Sequence, residues 1–286
     1  MIKAIPGDLL NWHELPLNPH QAAAWWLGQA GFLFRSKEYR FVVDPYLSDS
    51  LAIKYRDKKF KHQRRMPIPI QPSELQGLNA VFATHKHTDH MDGGTLPGLI
   101  AANPGCRFFA PKSSREQASL VCGDRDNATF VDAGDHLELS PELEVDVIAS
   151  AHEDLAYDDA GHAVFLGYIF TMNGTRIYHS GDCVPYDGLA EKLKRFDIDT
   201  ALLPVNGRDE YRRDHGIPGN FHFEEAVELC LQAGIQNLVP HHFGMFDFNT
   251  VDPEDLARKI GAIKNTLNVI VPQRNRVFII ERNPQQ

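Results

Sequence analysis

The sequence has 286 residues and contains little cysteine, no long apolar run and no excess of positive charge. The four cysteines, Cys106, Cys122, Cys183 and Cys230, are scattered without a C-x-x-C pair, which predicts free thiols in a reducing cytoplasm. No stretch approaches the ~20 apolar residues of a membrane-spanning helix. Residues 1–8 also lack the apolar segment of a secretory signal. We therefore expect a cytoplasmic protein without membrane contact, and the net charge of −9 argues against general nucleic-acid binding.

The composition is that of an ordinary soluble globular protein, with 43% apolar and 23% charged residues. The length is long for one core and short for two large ones. No internal repeat or low-complexity segment divides the chain. We accordingly expect a single domain over residues 1–286.

Short strand-like runs dominate the first half, and helices alternate with strands after residue 95. Residues 112–122 and 253–265 read as helices, the latter with Asp252 as N-cap and Pro253 at the first helical position. Asn173-Gly174 between two apolar runs predicts a β-hairpin. This order favours two sheets packed face to face with helices outside, an α/β architecture.

Residues 84–90 read T-H-K-H-T-D-H, which puts three histidines and a carboxylate within six positions. The apolar run at residues 80–83 precedes them and reads as a buried strand. Neutral imidazole and carboxylate are ligands of zinc and related divalent ions. His85 and His87 are two apart, so they point the same way in an extended chain. The spacing therefore predicts a metal site where a core strand ends.

This H-x-H-x-D-H stretch resembles the metal-binding motif of the metallo-β-lactamase superfamily. That superfamily supplies further ligands from later strand ends, and the chain offers a candidate for each. His152 follows the strand-like residues 145–150, Asp182 ends Y-H-S-G-D, and His242 lies in L-V-P-H-H-F. The resemblance spans nearly the whole chain and implies a four-layer αββα sandwich.

Within that superfamily the chain most resembles the L-ascorbate-6-phosphate lactonase branch. The resemblance rests on W-W-L-G-Q-A-G-F at residues 25–32, V-D-P-Y at 43–46, the Y-H-S-G-D run and N-G-R-D at 206–209. His152 has no clear counterpart in that branch. This difference implies a more complete first metal site and leaves room for another substrate.

The resemblance implies two divalent metal ions per chain, zinc or manganese, with iron as a further candidate. The first ion would be bound by three histidines, His85, His87 and His152. The second would be bound by one aspartate and two histidines, Asp89, His90 and His242. The carboxylate of Asp182 would bridge the two ions. Asp89 and Asp182 are the catalytic candidates, because Asp89 would orient a water that both ions activate as the nucleophile.

Two neighbouring residues compete with this ligand set. His241 adjoins His242, but the motif places the ligand two positions after proline, which favours His242. Cys183 follows Asp182 and, because neighbouring side chains of an extended strand point opposite ways, we expect a buried thiol there.

Substrate-binding candidates lie in a basic loop after a buried strand. Asn206, Arg208 and Tyr211 belong to it, and a guanidinium binds phosphate or carboxylate through two hydrogen bonds. His162, just before a strand, is a further candidate for substrate contact. The alternative for the loop is a surface segment with salt bridges. The lysine- and arginine-rich segment from Lys54 to Arg65 is interpreted as a lid, a subunit interface or a solvated loop.

Together these features predict a metal-dependent hydrolase that opens a sugar-derived or sugar-phosphate lactone by attack of metal-bound hydroxide. A phosphodiesterase for a nucleotide or lipid headgroup is the alternative, and a non-catalytic metal sensor is the third reading. The substrate is expected to be a small, anionic molecule. The family resemblance also suggests a homo-oligomer.

Overall fold

The computed structural model describes residues 2–263 and 266–281, and within these ranges the strands form two large sheets and one small ribbon. The strands, in chain order, are β1 Ile2–Pro6, β2 Gln21–Gly28, β3 Gly31–Arg35, β4 Arg40–Val43, β5 Ala80–Phe82, β6 Arg107–Pro111, β7 Ala128–Val131, β8 His136–Ser140, β9 Leu143–Ala149, β10 Ala151–His152, β11 Asp154–Leu155, β12 Leu166–Met172, β13 Thr175–His179, β14 Thr200–Pro204, β15 Asn237–His241, β16 Asn268–Val269 and β17 Arg276–Glu281.

The first sheet has the order β1-β17-β2-β3-β4-β5-β6-β7, and the second has the order β16-β15-β14-β13-β12-β9-β8. In the first sheet β4 to β7 run parallel, and in the second β13 to β16 do. Strands β10 and β11 pair as a separate two-stranded ribbon. Parallel strands share one carboxyl edge, which is where α/β proteins bind ligands.

Helices connect these strands and cover the outer faces of the sheets. They are α1 Ser50–Lys54, α2 Leu96–Ala102, α3 Arg115–Cys122, α4 Leu189–Lys194, α5 Glu210–Asp214, α6 Phe223–Ala233 and α7 Pro253–Ile263, with 3-10 turns at Leu9–Glu14, Pro72–Glu74 and Lys112–Ser114. No helix in the described part of the chain is long and apolar enough to cross a membrane.

Three apolar layers separate the four layers of secondary structure. Alternation along β3 shows the pattern: Phe32 and Phe34 point toward the second sheet, whereas Leu33 points to the outer face with α2. On the other side, Tyr178 of β13 packs in the outer layer with Phe223 of α6. Because the central strands are buried on both faces, their sequences read as continuous apolar runs. The predicted αββα sandwich is confirmed.

Local predictions agree with the structure in most places. Asn173 and Gly174 have φ of 51° and 80° in the turn between β12 and β13, as the predicted hairpin requires. Asp252 Oδ1 accepts from Asp255 N at 2.8 Å, so the predicted N-cap of α7 is confirmed. That helix was predicted to residue 265, and residues 264–265 lie outside the described ranges. The predicted helix 112–122 is divided into a 3-10 turn and α3.

Candidate metal centre

Four loops at the carboxyl ends of strands carry the predicted ligands to one place. Residues 84–90 follow β5, His152 ends β10, Asp182 lies after β13 and His242 follows β15. These loops come from both sheets, so the site forms only when the two sheets pack together. The ligand residues are far apart in the sequence, and the order of the strands in the two sheets brings them together.

The predicted ligands form two groups in the structure. In each group, one potential ligand atom per residue lies within 4.8 Å of those of all the others. The groups are His85, His87, His152 and Asp182, and Asp89, His90 and His242. All seven residues singled out from the sequence are therefore brought together.

Asp182 lies between the two groups. Its Oδ2 is 3.4 Å from His152 Nε2 in the first group. Its Oδ1 is 3.2 Å from His242 Nε2 and 3.4 Å from His90 Nε2 in the second. One carboxylate thus turns one oxygen to each group, which is the arrangement that a bridging ligand needs.

Several donor atoms of the centre are buried without a hydrogen-bond partner in the described structure. They include His85 Nε2, His90 Nε2 and Asp182 Oδ1. Buried polar atoms are almost always paired. A divalent cation is a partner that imidazole nitrogen and carboxylate oxygen share. The residues therefore fit divalent cations.

Contacts behind the histidines select which ring nitrogen faces the centre. His90 Nδ1 lies 2.7 Å from Asp44 Oδ2, and His152 Nδ1 donates to Gly219 O at 2.9 Å. In both rings this engages Nδ1 and leaves Nε2 for a metal. Such outer contacts orient ligating imidazoles and fix their tautomer.

Asp44 also determines the course of the loop after β5. Its Oδ1 accepts from Thr84 N at 2.8 Å, and its Oδ2 accepts from Thr84 Oγ1 at 2.7 Å. Gly181 packs against the same threonine with φ of 61°, and a Cβ there would lie 2.7 Å from Thr84 Cβ. Only glycine therefore fits immediately before Asp182.

Burial and the carboxylates act in opposite directions on the histidine pKa values. Burial lowers the pKa of His152 to about 4 and that of His85 well below its usual value, so both imidazoles are neutral and able to bind a metal. Burial also disfavours the charged form of His242, but Asp182 and Asp89 outweigh it and raise its pKa to about 9. The electrostatic potential at His242 is therefore more negative than at His85 and His152.

The two competing residues point away from the centre. His242 has φ of 61° and turns into the cluster, whereas His241 is buried in the core, stacked on His179 at a centroid distance of 5.1 Å. Cys183 is buried and donates from Sγ to Val184 O, and burial raises its pKa to about 12. It is a protonated thiol at neutral pH.

A cavity of about 640 Å³ opens above the centre. Ligand residues contribute to its lining, and basic and aromatic side chains line it as well. These are His87, Asp89, His152, Asp182 and His242 among the ligands; Lys54, Lys58, Lys59 and Lys86 among the bases; and Tyr55, Phe60, His62 and Phe246 among the rings. An anionic substrate would meet positive charge beside the metal ligands.

Six residues of the basic segment therefore belong to the cavity wall, which the sequence left open: Lys54, Tyr55, Lys58, Lys59, Phe60 and His62. Lys54 Nζ donates to Thr88 Oγ1 at 2.9 Å, and Lys59 Nζ lies 3.0 Å from His215 Nε2. The run of basic residues was visible in the sequence, but only the fold shows that it faces the metal ligands. Gln29 and Asp44, which belong to the W-W-L-G-Q-A-G-F and V-D-P-Y motifs, contact the ligands too.

None of the four predicted substrate residues, Asn206, Arg208, Tyr211 and His162, lines the cavity. The Arg208 guanidinium donates to both carboxylate oxygens of Glu225, at 2.6 and 2.7 Å, and to Asn220 O at 3.1 Å. Asn206 reaches the cavity only through Asn249, to which it donates at 2.7 Å. Tyr211 packs beneath Lys59, and His162 binds Asp158. The cavity lysines are better placed for direct anion binding.

Comparison with known proteins agrees with this geometry. Residues 39–243 match the family model described as β-lactamase superfamily domain. The match covers more than half of the chain and includes every predicted ligand. The chain belongs to the metallo-β-lactamase superfamily. Membership in the ascorbate-6-phosphate lactonase branch is not shown by any of these comparisons.

The chain is similar to several known proteins at low sequence identity. A UPF0173 metal-dependent hydrolase of Myxococcus xanthus is 24% identical over 256 residues, covering 87% of this chain and 80% of that protein. N-acyl-phosphatidylethanolamine-hydrolyzing phospholipase D 1 of Caenorhabditis elegans is 23% identical over 255 residues, covering 83% and 69%. The metallo hydrolase Igni18 of Ignicoccus hospitalis has a TM-score of 0.66 at 18% identity, covering 92% and 100%. The Myxococcus and Ignicoccus proteins are thus both named as metal-dependent or metallo hydrolases.

Proposed function

We propose that the chain hydrolyses a small phosphate-bearing ester at a centre of two divalent cations. The observation that carries this proposal is the cavity in which four lysines, Lys54, Lys58, Lys59 and Lys86, stand beside the ligand cluster. The whole protein is acidic, with a net charge of −9, so these four lysines form a local excess of positive charge against that background. It complements an anionic substrate.

The ligand groups divide the work of holding the cations. His85, His87 and His152 would bind one, and Asp89, His90 and His242 would bind the other, with Asp182 bridging them. When bound, the cations supply Lewis acidity and lower the pKa of water. Imidazole and carboxylate ligands without thiolate suit zinc, manganese or iron.

The side chains of the protein would orient the attacking water and position the substrate. Asp89 borders the cavity, and we assign to its carboxylate the orientation of the attacking water. The lysine ammonium groups hold the phosphate of the substrate, as Lys does in other phosphate sites. Tyr55, Phe60 and Phe246 provide an apolar wall for the uncharged part of the substrate.

A phosphodiester is the first candidate for the bond that is cleaved. The nematode relative named as a phospholipase D supports it, since the product of that reaction class is a phosphomonoester and an alcohol. A sugar-phosphate lactone is the second candidate. It is supported by the lysines being distinct from the ligands, which lets a phosphate group and the scissile ester occupy different parts of the cavity.

A hydrolysis screen with cation-reconstituted protein tests the proposal. Bis(p-nitrophenyl) phosphate, glycerophosphodiesters and nucleoside cyclic phosphates represent the first candidate, and phosphorylated aldonolactones represent the second. We expect cation-dependent turnover of phosphodiesters. Turnover of lactones alone would favour the second candidate, and no turnover of any ester by fully loaded protein would favour the sensor alternative.

We retain the cytoplasm and a homo-oligomer as parts of the proposal. Cys106, Cys122, Cys183 and Cys230 are all unpaired, which supports a reducing compartment. The assembly is checked by sedimentation velocity of the full chain.

A further inference from the structure

Gln29 occupies an unusual position in the turn between β2 and β3. Its side chain is completely buried, and its φ of 54° lies in the left-handed region that non-glycine residues seldom adopt. Two donors hold its carbonyl oxygen in place, Trp26 Nε1 at 2.9 Å and His242 N at 3.0 Å. Residues kept in such conformations cluster at functional sites.

The terminal amide of Gln29 touches two predicted ligands of the second group at once. Its Nε2 lies 2.9 Å from Asp89 Oδ2 and 3.0 Å from His242 Nε2. Those two atoms are themselves 3.5 Å apart. Its Oε1 is buried and has no hydrogen-bond partner among the described residues. One end of the amide is therefore satisfied while the other is not.

These separations match those between ligands of one cation. Neighbouring ligands of a six-coordinate ion with bonds of about 2.1 Å lie about 3.0 Å apart. The two ends of a glutamine amide have the same shape, and their assignment follows from the surrounding hydrogen bonds. A half-turn of the amide puts Oε1 beside Asp89 Oδ2 and His242 Nε2, where a cation shared with those two ligands would become its partner.

We propose that Gln29 Oε1 is an additional ligand of the cation held by Asp89, His90 and His242. The amide of Gln29 then changes its partner on loading, from the Asp89 carboxylate to the cation. An amide oxygen is a hard ligand, and a fifth protein ligand beside Asp182 favours ions of higher coordination number. The second site would therefore prefer Mn²⁺ or Fe²⁺ more strongly than the all-histidine side of the first site does.

This inference rests on the proposed cation centre but not on the substrate, so its test measures binding alone. Mn²⁺ and Zn²⁺ binding to the full chain is measured by equilibrium dialysis and calorimetry for wild type, Gln29→Leu and Gln29→Glu. Gln117→Leu is the matched control, because Gln117 lines the same cavity and none of its atoms belongs to the ligand groups.

We expect Gln29→Leu to lower the affinity for one of two Mn²⁺ ions about tenfold to hundredfold, while Zn²⁺ affinity changes less. Gln29→Glu should bind Mn²⁺ at least as tightly as wild type, since it keeps an oxygen in that place. Gln117→Leu should behave as wild type. Because Gln29→Glu is nearly isosteric, it keeps the test informative even where Gln29→Leu folds poorly.

Two results would overturn the proposal. Unchanged Mn²⁺ binding by folded Gln29→Leu would show that the amide does not ligate. Weakened binding by Gln29→Glu would show that Gln29 acts as a hydrogen-bond donor to Asp89, because a second carboxylate there would repel the first. Wild type that binds fewer than two ions would instead overturn the dinuclear centre itself, so the two failures are distinguishable.

Discussion

Asp44 and His90 form a fully buried pair in which the carboxylate Oδ2 lies 2.7 Å from the imidazole Nδ1. The pair joins the end of β4 to the ligand loop after β5. It keeps His90 Nε2 directed at Asp182 and raises the basicity of the ring as a ligand. The pKa of His90 is raised well above its usual value, because Asp182, Asp44 and Asp89 together outweigh its burial.

Asp44→Asn should therefore weaken the second cation site. The amide cannot match the charge of the carboxylate, so we expect about tenfold to hundredfold lower affinity for one ion. Calorimetric titration measures this directly. Asp92→Asn is the control, because Asp92 is equally buried but accepts from Ser48, Ser50 and Thr95 rather than from a histidine. Equal losses in both variants would mean that Asp44 is only a folding residue.

His242→Ala and His241→Ala should affect different properties. Loss of His242 removes a ligand, so metal content should fall toward one ion per chain. Loss of His241 removes core packing against Phe32 and His179 and should cost about 1–3 kcal/mol of unfolding free energy. Elemental analysis and urea unfolding separate the two effects. The opposite ranking in metal content would show that the register of the motif is off by one residue.

Lys59→Ala and Arg208→Ala likewise separate substrate binding from structure. For an exposed lysine a lost charged contact costs about 1 kcal/mol at most, so we expect about a fivefold higher KM for Lys59→Ala. Arg208→Ala should leave KM nearly unchanged and lower stability by about 1 kcal/mol, since it breaks the pair with Glu225. Kinetics on an anionic ester checks both, and a larger KM change for Arg208→Ala would return that residue to the substrate site.

Acid should weaken cation binding at the second group. Because the pKa of His242 is raised to about 9, its imidazole carries a proton at pH 7 in the cation-free protein, and a cation must displace it. Affinity should therefore rise as the pH increases through about 9. The sign for stability is opposite. A folded pKa above the usual 6.5 stabilises the cation-free chain below about pH 6.5, and that gain is lost as pH rises through about 9.

Thermal unfolding of chelator-treated and cation-loaded protein between pH 6 and 9 tests this pair of trends. The cation-free melting temperature should fall toward pH 9, while the difference made by the cations should grow. A cation effect that is independent of pH would contradict a protonated His242.

Much of the centre follows from local sequence, because His85, His87, Asp89 and His90 lie within one short loop. His152, Asp182 and His242 needed the family resemblance, since only the fold brings their strand ends together. Strand β1 was not predicted from the sequence, because its partner strand is almost the whole chain away: Ile2 pairs with Ile280. The roles of Gln29 and the lysines depend on which side chains face one cavity, and no local pattern specifies that.

The most direct test of the dinuclear hydrolase is the activity of cation-free protein titrated with Zn²⁺ or Mn²⁺ against bis(p-nitrophenyl) phosphate. Activity should be absent at the start and reach its plateau at two ions per chain. Asp182→Ala, which lacks the carboxylate facing both groups, should bind both ions more weakly and stay inactive at that ratio. Turnover that survives complete metal removal, or a wild-type plateau at one ion per chain, would contradict the account.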